Sequence, residues 1–382
     1  MRIYLDNSAT SFPKPPAVVQ AMSDYLNNFG ASPGRSAHAL SVKAAREVFE
    51  TRELLAAFFN LDNSERVIFA ANATLALNIA IKGILKQGDH VIISHMEHNS
   101  VYRPLKHLES SGMIDLSVAN CNHEGYIDPD HFSSLFCPNT RMVAVIHGSN
   151  VAGTVQPIRT LGEICKDRGA VFLVDAAQTA GFIPVDMQLD HIDVLAFTGH
   201  KKLYGPPGIG GLCINRNIRI ETFIHGGSGS HSESDEHPAF YPDRLEAGTP
   251  NTVGIIGLKA GLDYVMKKGL ENIRQTQLGL TQLLIHELNN LDGVYIYGPE
   301  GMENRLPLVS MNIKDLTPSK LSQYLDQRHG ILTRSGLHCS PLAHKTIGTF
   351  PQGTTRFSIG AFNTEEDINN TLKAIKELLN KK

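Results

Sequence analysis

The sequence predicts a three-layer α/β fold, a mostly parallel sheet between helices, followed by a smaller α+β unit. Two observations predict it. From about residue 13 to 250, short apolar runs alternate with helical patterns, and the runs lack polar alternation, as strands covered on both faces do. After about residue 250 that alternation gives way to a long helical stretch and a set of short strand-like runs.

The elements follow in order. RVIFAA (66–71) leads into TLALNIAIKGILKQG, whose apolar residues recur at helical spacing before a glycine stop. DHVIIS (89–94) precedes a helix near 100–111, and RMVAVIHGS (141–149) precedes the helical IRTLGEICKDRG (158–169). AVFLVDAA (170–177), DVLAFTG (193–199) and IGGLCINR (209–216) complete the sheet, with right-handed crossovers. The polar, Gly/Ser-rich GGSGSHSESDEHPAFYPD (226–243) reads as a surface loop. Beyond EAGTPNTVG (246–254) come a helical stretch over about 251–291, VYIYG, RLPLVSMNI, a helix near 317–328, ILTRSG, TTRFSIG and a final helix from about 364. The expected division is an N-terminal segment (1–12), a large domain (13–250) and a small C-terminal domain (251–382).

Bulk properties exclude several function classes. With 382 residues, 42% hydrophobic, the chain can bury a large core. A formal net charge of -3 gives no electrostatic case for nucleic acid or an anionic membrane as partner. No apolar run approaches the ~20 residues that span a bilayer, and MRIYLDNSATSFPKPP has no apolar core of a secretory signal, so a cytoplasmic protein is expected. The five cysteines (Cys121, Cys137, Cys165, Cys213, Cys339) are scattered and odd in number, without CxxC spacing. That argues against a disulfide framework and against a metal site.

Ligands of an open α/β sheet collect outside the carboxyl ends of its strands. The polar residues there are Asn72-Ala73-Thr74, Glu97-His98-Asn99, Gly148-Ser149-Asn150, Asp175 with Gln178, and Thr198-Gly199-His200-Lys201. Each has an ordinary structural reading beside a chemical one. Asp175 caps a helix or holds a protonated ring nitrogen; Thr74 caps a helix or offers its hydroxyl to a phosphate at that helix's positive end. His98 packs as a structural histidine or stacks on a flat ring. Lys201 belongs to a solvated Lys-Lys pair, or is an amine whose pKa is lowered by apolar neighbours to suit attack on an aldehyde. Taken together, the chemical readings describe a site for pyridoxal 5'-phosphate.

The ordered segments YLDNSATS, MEHNS, SNVAGT, VDAAQ, TGHKKLYGP, LEAGTPNT and RSGLHC carry a family resemblance over nearly the whole length. The chain resembles class V pyridoxal-phosphate enzymes of fold type I, specifically the cysteine desulfurases and selenocysteine lyases. The resemblance implies that Lys201 bonds the cofactor, Asp175 meets its ring nitrogen, Gln178 donates to its phenolic oxygen and His98 stacks on its ring. Ala73, Thr74, Thr198 and His200 match the phosphate cradle, joined by Thr249 from the neighbouring subunit of a homodimer. Asn150 and Arg356 match the groups that bind the substrate carboxylate, with Arg334 beside them. Two registers fit His200-Lys201-Lys202-Leu203: counting forward from Thr198-Gly199-His200 selects Lys201, and counting back from Leu203 selects Lys202. The forward count is preferred.

Cys339 decides the expected reaction. Cys165 and Cys213 read as small buried hydrophobes, but Cys339 lies near Arg334, His338, His344 and Lys345, an electropositive setting expected to favour its thiolate. In the family this position takes sulfur from L-cysteine as a persulfide, leaving L-alanine, with His98 as a proton carrier and an acceptor protein downstream. Leu337 stands where some members have histidine. L-Selenocysteine as substrate, a cysteine C–S lyase, an aminotransferase and a non-catalytic binding protein are the competing readings; a Walker-type phosphate loop is not, because GPPGIGG lacks the Gly-Lys-Ser/Thr ending.

Overall fold

The computed structural model describes residues 2–34, 37–230 and 232–380. The chain opens with β1 (Ile3–Tyr4), α1 (Pro16–Asp24), a π-helical turn at Tyr25–Phe29, and α2 (Ala39–Phe58). Then come β2 (Val67–Ala70), α3 (Ala73–Ile84), β3 (Asp89–Ser94), α4 (Asn99–Ser110), β4 (Ile114–Ala119) and α5 (Pro129–Ser134). β5 (Thr140–Ile146), α6 (Ile158–Arg168), β6 (Val171–Asp175), β7 (Val194–Thr198) and β8 (Gly210–Ile214) follow.

β2 to β8 form one sheet in the order β2-β8-β7-β6-β5-β3-β4. It is parallel throughout except for β8, which runs antiparallel to β2 and β7. One face packs on α3 and α4 through Leu77, Ala80, Val101 and Leu105. The other packs on α2, α6 and, later in the chain, α7 (Thr252–Lys268) through Leu55, Leu161 and Leu258. Helices on both faces are what remove water from β2, β6, β7 and β8 completely. This is why those strands read as unbroken apolar runs. β4 escapes the sequence reading for the opposite reason. It is the edge strand, and Ile-Asp-Leu-Ser-Val-Ala alternates because one face is wet.

The expected helix over 251–291 is two helices, α7 and α8 (Leu270–Asn289), broken at Gly269. Its φ of +80° is a conformation that L side chains rarely adopt. There follow β9 (Val294–Tyr297), β10 (Leu308–Ile313), α9 (Pro318–His329), β11 (Ile331–Leu332), β12 (Arg334–Gly336), α10 (Pro341–Thr346), β13 (Thr354–Ser358) and α11 (Glu365–Asn380). A second, antiparallel sheet has the order β12-β13-β10-β9 and shares a core with α8, α9 and α11. The N-terminus reaches this unit: β1 pairs in parallel with β11. Among the described residues no helix is long and apolar enough to cross a membrane.

One close approach positions the site. Gly210 on β8 lies under the amino end of α3, where a Cβ would come 2.7 Å from the Phe197 carbonyl and 3.2 Å from the Ala73 nitrogen. Both obstacles are backbone, so Gly210→Ala must displace the helix start or the strand. The substitution should cost about 1–3 kcal/mol, measured as a lower denaturant midpoint at unchanged slope.

Candidate active site

A pocket opens at the carboxyl ends of β5, β6 and β7, facing the amino ends of α3 and α4. α3 contributes Asn72, Ala73 and Thr74; α4 contributes His98 and Ser100. Asn150 follows β5, Asp175 and Gln178 close β6, and Thr198, His200 and Lys201 close β7. Asn72 caps α3 by accepting from the Leu75 N–H (2.9 Å), which leaves the first-turn amides free at the positive end of the helix. Thr198 Oγ1 is buried with no hydrogen-bond partner. A polar atom so placed is costly without a ligand. Together these groups make a polar recess at the positive end of α3.

Lys201 and Asp175 oppose one another across the floor. Burial pulls the Lys201 amine down to about 8, and the guanidinium groups of Arg356 and Arg334 push the same way; the Asp175 carboxylate works against them. Burial raises Asp175, tempered by the Ala177 N–H (2.9 Å), the charge of Lys201 and the hydroxyl of Ser100. Lys202 points elsewhere. Its ammonium donates to Gln277 Oε1 (2.7 Å) and the Ile359 carbonyl (3.1 Å), against the ring of Phe182.

His98 Nδ1 accepts from the Ser100 N–H (3.1 Å), capping α4 and leaving the ring proton on Nε2. Burial, then the positive charges of Lys201 and Arg334, lowers its pKa to about 4, so the ring is neutral at pH 7. Gln178 spends Nε2 on the Ser8 carbonyl (3.0 Å), while its Oε1 is buried without a partner. The carbonyl of His200 is gripped by the Ser11 N–H and by Lys14 Nζ (2.8 Å).

Arg356, on β13, is almost fully buried. It donates to Asp6 Oδ1 (2.8 Å) and to the Asn150 carbonyl (2.9 Å), and its Nε has no partner. Its cross-strand neighbour is Arg334. Two like charges directly opposed on a sheet are unfavourable unless an anion joins them.

Cys339 is exposed on the loop between β12 and α10, with Arg334 Nη2 3.8 Å from its sulfur. Its carbonyl accepts from the Asn99 N–H (2.8 Å). His338 and Cys339 both have left-handed backbone, φ 49° and 60°, a strain of about 1–3 kcal/mol each. Two other expected cations of this loop, the histidines, are neutral at pH 7. His338 and His344 are buried, bonded to Thr354 and Thr349, and burial drives both well below the ordinary histidine range. Lys345 sits over the ring of Phe350. Thr249 does not reach the Lys201 pocket within one chain; it lines a separate cavity beside α2 with Arg52 and Glu246. Among the described residues, no three His, Cys, Asp or Glu side chains gather to hold a metal ion.

The model of the aminotransferase class-V family matches residues 3–371. The chain belongs to that family. Members similar to it include a probable cysteine desulfurase of Methanothermobacter thermautotrophicus, 35% identical over 98% of this chain and 94% of the relative. A cysteine desulfurase of Escherichia coli O157:H7 is 33% identical over 98% of this chain and 93% of its own length. The apo structure of a cysteine desulfurase from Thermococcus onnurineus NA1 superposes with a TM-score of 0.94 at 34% identity, covering 100% of this chain and 95% of that one.

The class-V pattern read from sequence omits Asp6, Lys14 and Ser100, because each acts through a partner remote in sequence. Asp6 lies within the quoted YLDNSATS, but only the fold reveals that it pairs with a residue 350 positions away. Glu97 is a further buried group. Its Oε1 accepts from Ser94 Oγ (2.5 Å) and the Ile146 N–H (3.0 Å), and burial raises its pKa to about 8, so it is protonated at pH 7.

Asp6→Ala would strip the buried Arg356 of its carboxylate. Unfolding in denaturant should then show a loss on the order of 3 kcal/mol.

Proposed function

We propose that this chain is a cysteine desulfurase that binds pyridoxal 5'-phosphate and converts L-cysteine to L-alanine, taking the sulfur as a persulfide on Cys339. The observation that carries the reading is one juxtaposition. A low-pKa amine, Lys201, lies between a buried carboxylate and the polar recess at the positive end of α3, and Cys339 is near enough to bear on that amine's charge. The relatives named cysteine desulfurase support the same reading.

The residues fit the cofactor. The α3 amides, Thr74 and the unpartnered Thr198 hydroxyl would take its phosphate, Asp175 its ring nitrogen, Lys201 its aldehyde, and the neutral face of His98 its ring. When bound, it supplies an electron sink for the substrate carbanion. Lys201, with its lowered pKa, is suited to take the α-proton and return it. Arg334 and Arg356 supply the anion site that the substrate carboxylate requires. The thiolate of Cys339 attacks the substrate sulfur; the new S–S bond forms as the C–S bond breaks, and the electron pair left on carbon takes a proton. The balance is L-cysteine plus thiol giving L-alanine plus persulfide. The persulfide then passes to an acceptor protein; action on L-selenocysteine is the alternative reading. In a homodimer, Thr249 of one subunit would complete the phosphate cradle of the other.

A lysine attacks only as the free amine, so a pKa of about 8 makes Lys201 reactive as pH rises through 8 rather than 10.5. Borohydride trapping of pyridoxal phosphate on cofactor-stripped protein should follow that rise and map to Lys201; an adduct on Lys202 refutes the assignment. Cys339→Ser should retain the cofactor yet lose alanine production from L-cysteine by roughly a hundredfold or more, because a serine hydroxyl is too weakly acidic to supply an anionic nucleophile for sulfur at pH 7. Full activity in that variant, or pyruvate as the product, would favour the lyase reading.

A further inference from the structure

We propose that Lys202 is a positioning residue: it pins the turn after β7 to the end of β13 and so fixes where Lys201 stands relative to Arg356. The roles of those two groups, base for the α-proton and carboxylate site, are the ones the desulfurase reading assigns; the contacts stand without it. Lys202 is a buried amine that the chemistry of the pocket leaves unused. Its Nζ donates to Gln277 Oε1 on α8 (2.7 Å) and to the Ile359 carbonyl just beyond β13 (3.1 Å), and lies 5.1 Å from the centre of the Phe182 ring. Lys202 follows Lys201 by one residue, and Ile359 follows Arg356 by three. One side chain therefore spans the two segments that bear the base and the carboxylate site.

Stability does not explain it. Both hydrogen-bond acceptors are neutral, and burial lowers the amine's pKa to about 7. A buried amine facing only neutral partners opposes folding, whereas a methionine of similar length would fill the same space without that cost. What methionine cannot supply is two directed donors. An ammonium only donates, so Gln277 turns Oε1 toward it, and the Nε2 left over donates to Tyr204 Oη (3.1 Å) on the same turn. The turn is stiff enough to pass the constraint on. Tyr204 has left-handed backbone, φ 56°, and a Cβ on Gly181 would come 2.3 Å from the Lys202 carbonyl. Other contacts hold the same segments from different directions. Thr10, Ser11 and Lys14 grip the His200 carbonyl, and Asp6 and the Asn150 carbonyl meet Arg356. Those contacts tie each segment to the N-terminal stretch or to the end of β5. Lys202 joins the two segments to each other, with the edge of Tyr204 against Phe362 beside it.

The test compares the protein as isolated with Lys202→Met and with Gln277→Glu, which keeps an acceptor for the ammonium. The first readout is exchange of the L-alanine α-proton in heavy water, followed by NMR, because it uses the base and the carboxylate site but not Cys339. In Lys202→Met the exchange kcat should fall about tenfold or more while half-saturation by L-alanine stays within about threefold, as expected of a misplaced base. Gln277→Glu should stay within about threefold of wild type in both. The second readout is amide hydrogen exchange. Peptides covering residues 199–205 and 356–362 should exchange about tenfold faster in Lys202→Met alone, with the denaturant midpoint unchanged or higher. Unaltered kcat or unaltered amide exchange in Lys202→Met, or an equal loss in Gln277→Glu, would overturn the proposal. So would a Lys202→Met protein that fails to fold or unfolds at a clearly lower midpoint, since Lys202 would then serve stability. A wild type that exchanges no L-alanine proton would remove the roles given to Lys201 and Arg356, and the amide-exchange comparison would still judge the pin.

Discussion

The structure around the pocket is organised by one buried cation. Arg356 has almost no contact with water, and a guanidinium in that position is tolerable only if it is paired and hydrogen-bonded. Asp6 and the Asn150 carbonyl meet that requirement. In doing so they bind three distant parts of the chain to one point: the N-terminal segment, the end of β5 and strand β13. Further contacts follow the same path. Asn7 and Ser8 bond to Ser358, and Asn150 in turn carries the Cys339 loop.

The same enclosure sets the chemistry of the floor. Withdrawal from water disfavours the charged forms of Lys201 and Asp175 in opposite directions along the pH scale, and their mutual attraction restrains both shifts. The histidines respond to burial alike: His98, His200, His338 and His344 all titrate below their ordinary range. The positive potential of the site is therefore carried by lysine and arginine, and the imidazoles serve as neutral donors, acceptors and flat surfaces.

Much of this was legible in the sequence, for physical reasons that can be named. Strands buried on both faces announce themselves as continuous apolar runs, and the groups at their carboxyl ends follow from the handedness and direction of a parallel sheet. β4 was not legible by that criterion because the sheet edge leaves it half wet, and the break at Gly269 hides inside an otherwise helical pattern. Of the cations that the sequence gathers around Cys339, Arg334 stands beside the sulfur, whereas His338 and His344 are neutral, because sequence proximity does not report burial. Lys201 and Lys202 are adjacent and chemically identical on paper. What separates them is Gln277, on a helix of the other unit, which draws Lys202 out of the pocket. The hydrogen bonds from Asn150 to the Cys339 loop were hidden similarly, since the partners lie 188 and 190 positions away.

The pairing of β1 with β11 has a consequence for how the molecule comes into being. Ile3 lies beside Ile331, and the N-terminal segment is then bonded to Ser358. Contacts of such sequence separation form late, because the entropy of closing the loop is lost before any contact repays it. During synthesis the first strand leaves the ribosome long before its partner exists. The large sheet can assemble meanwhile, since its strands lie within residues 67–214. The lining of the Lys201 pocket belongs to the same stretch, but Arg356 and the Cys339 loop are made later. Biosynthesis thus withholds a reactive amine and an exposed thiol from working together until strands β12 and β13 have both been made.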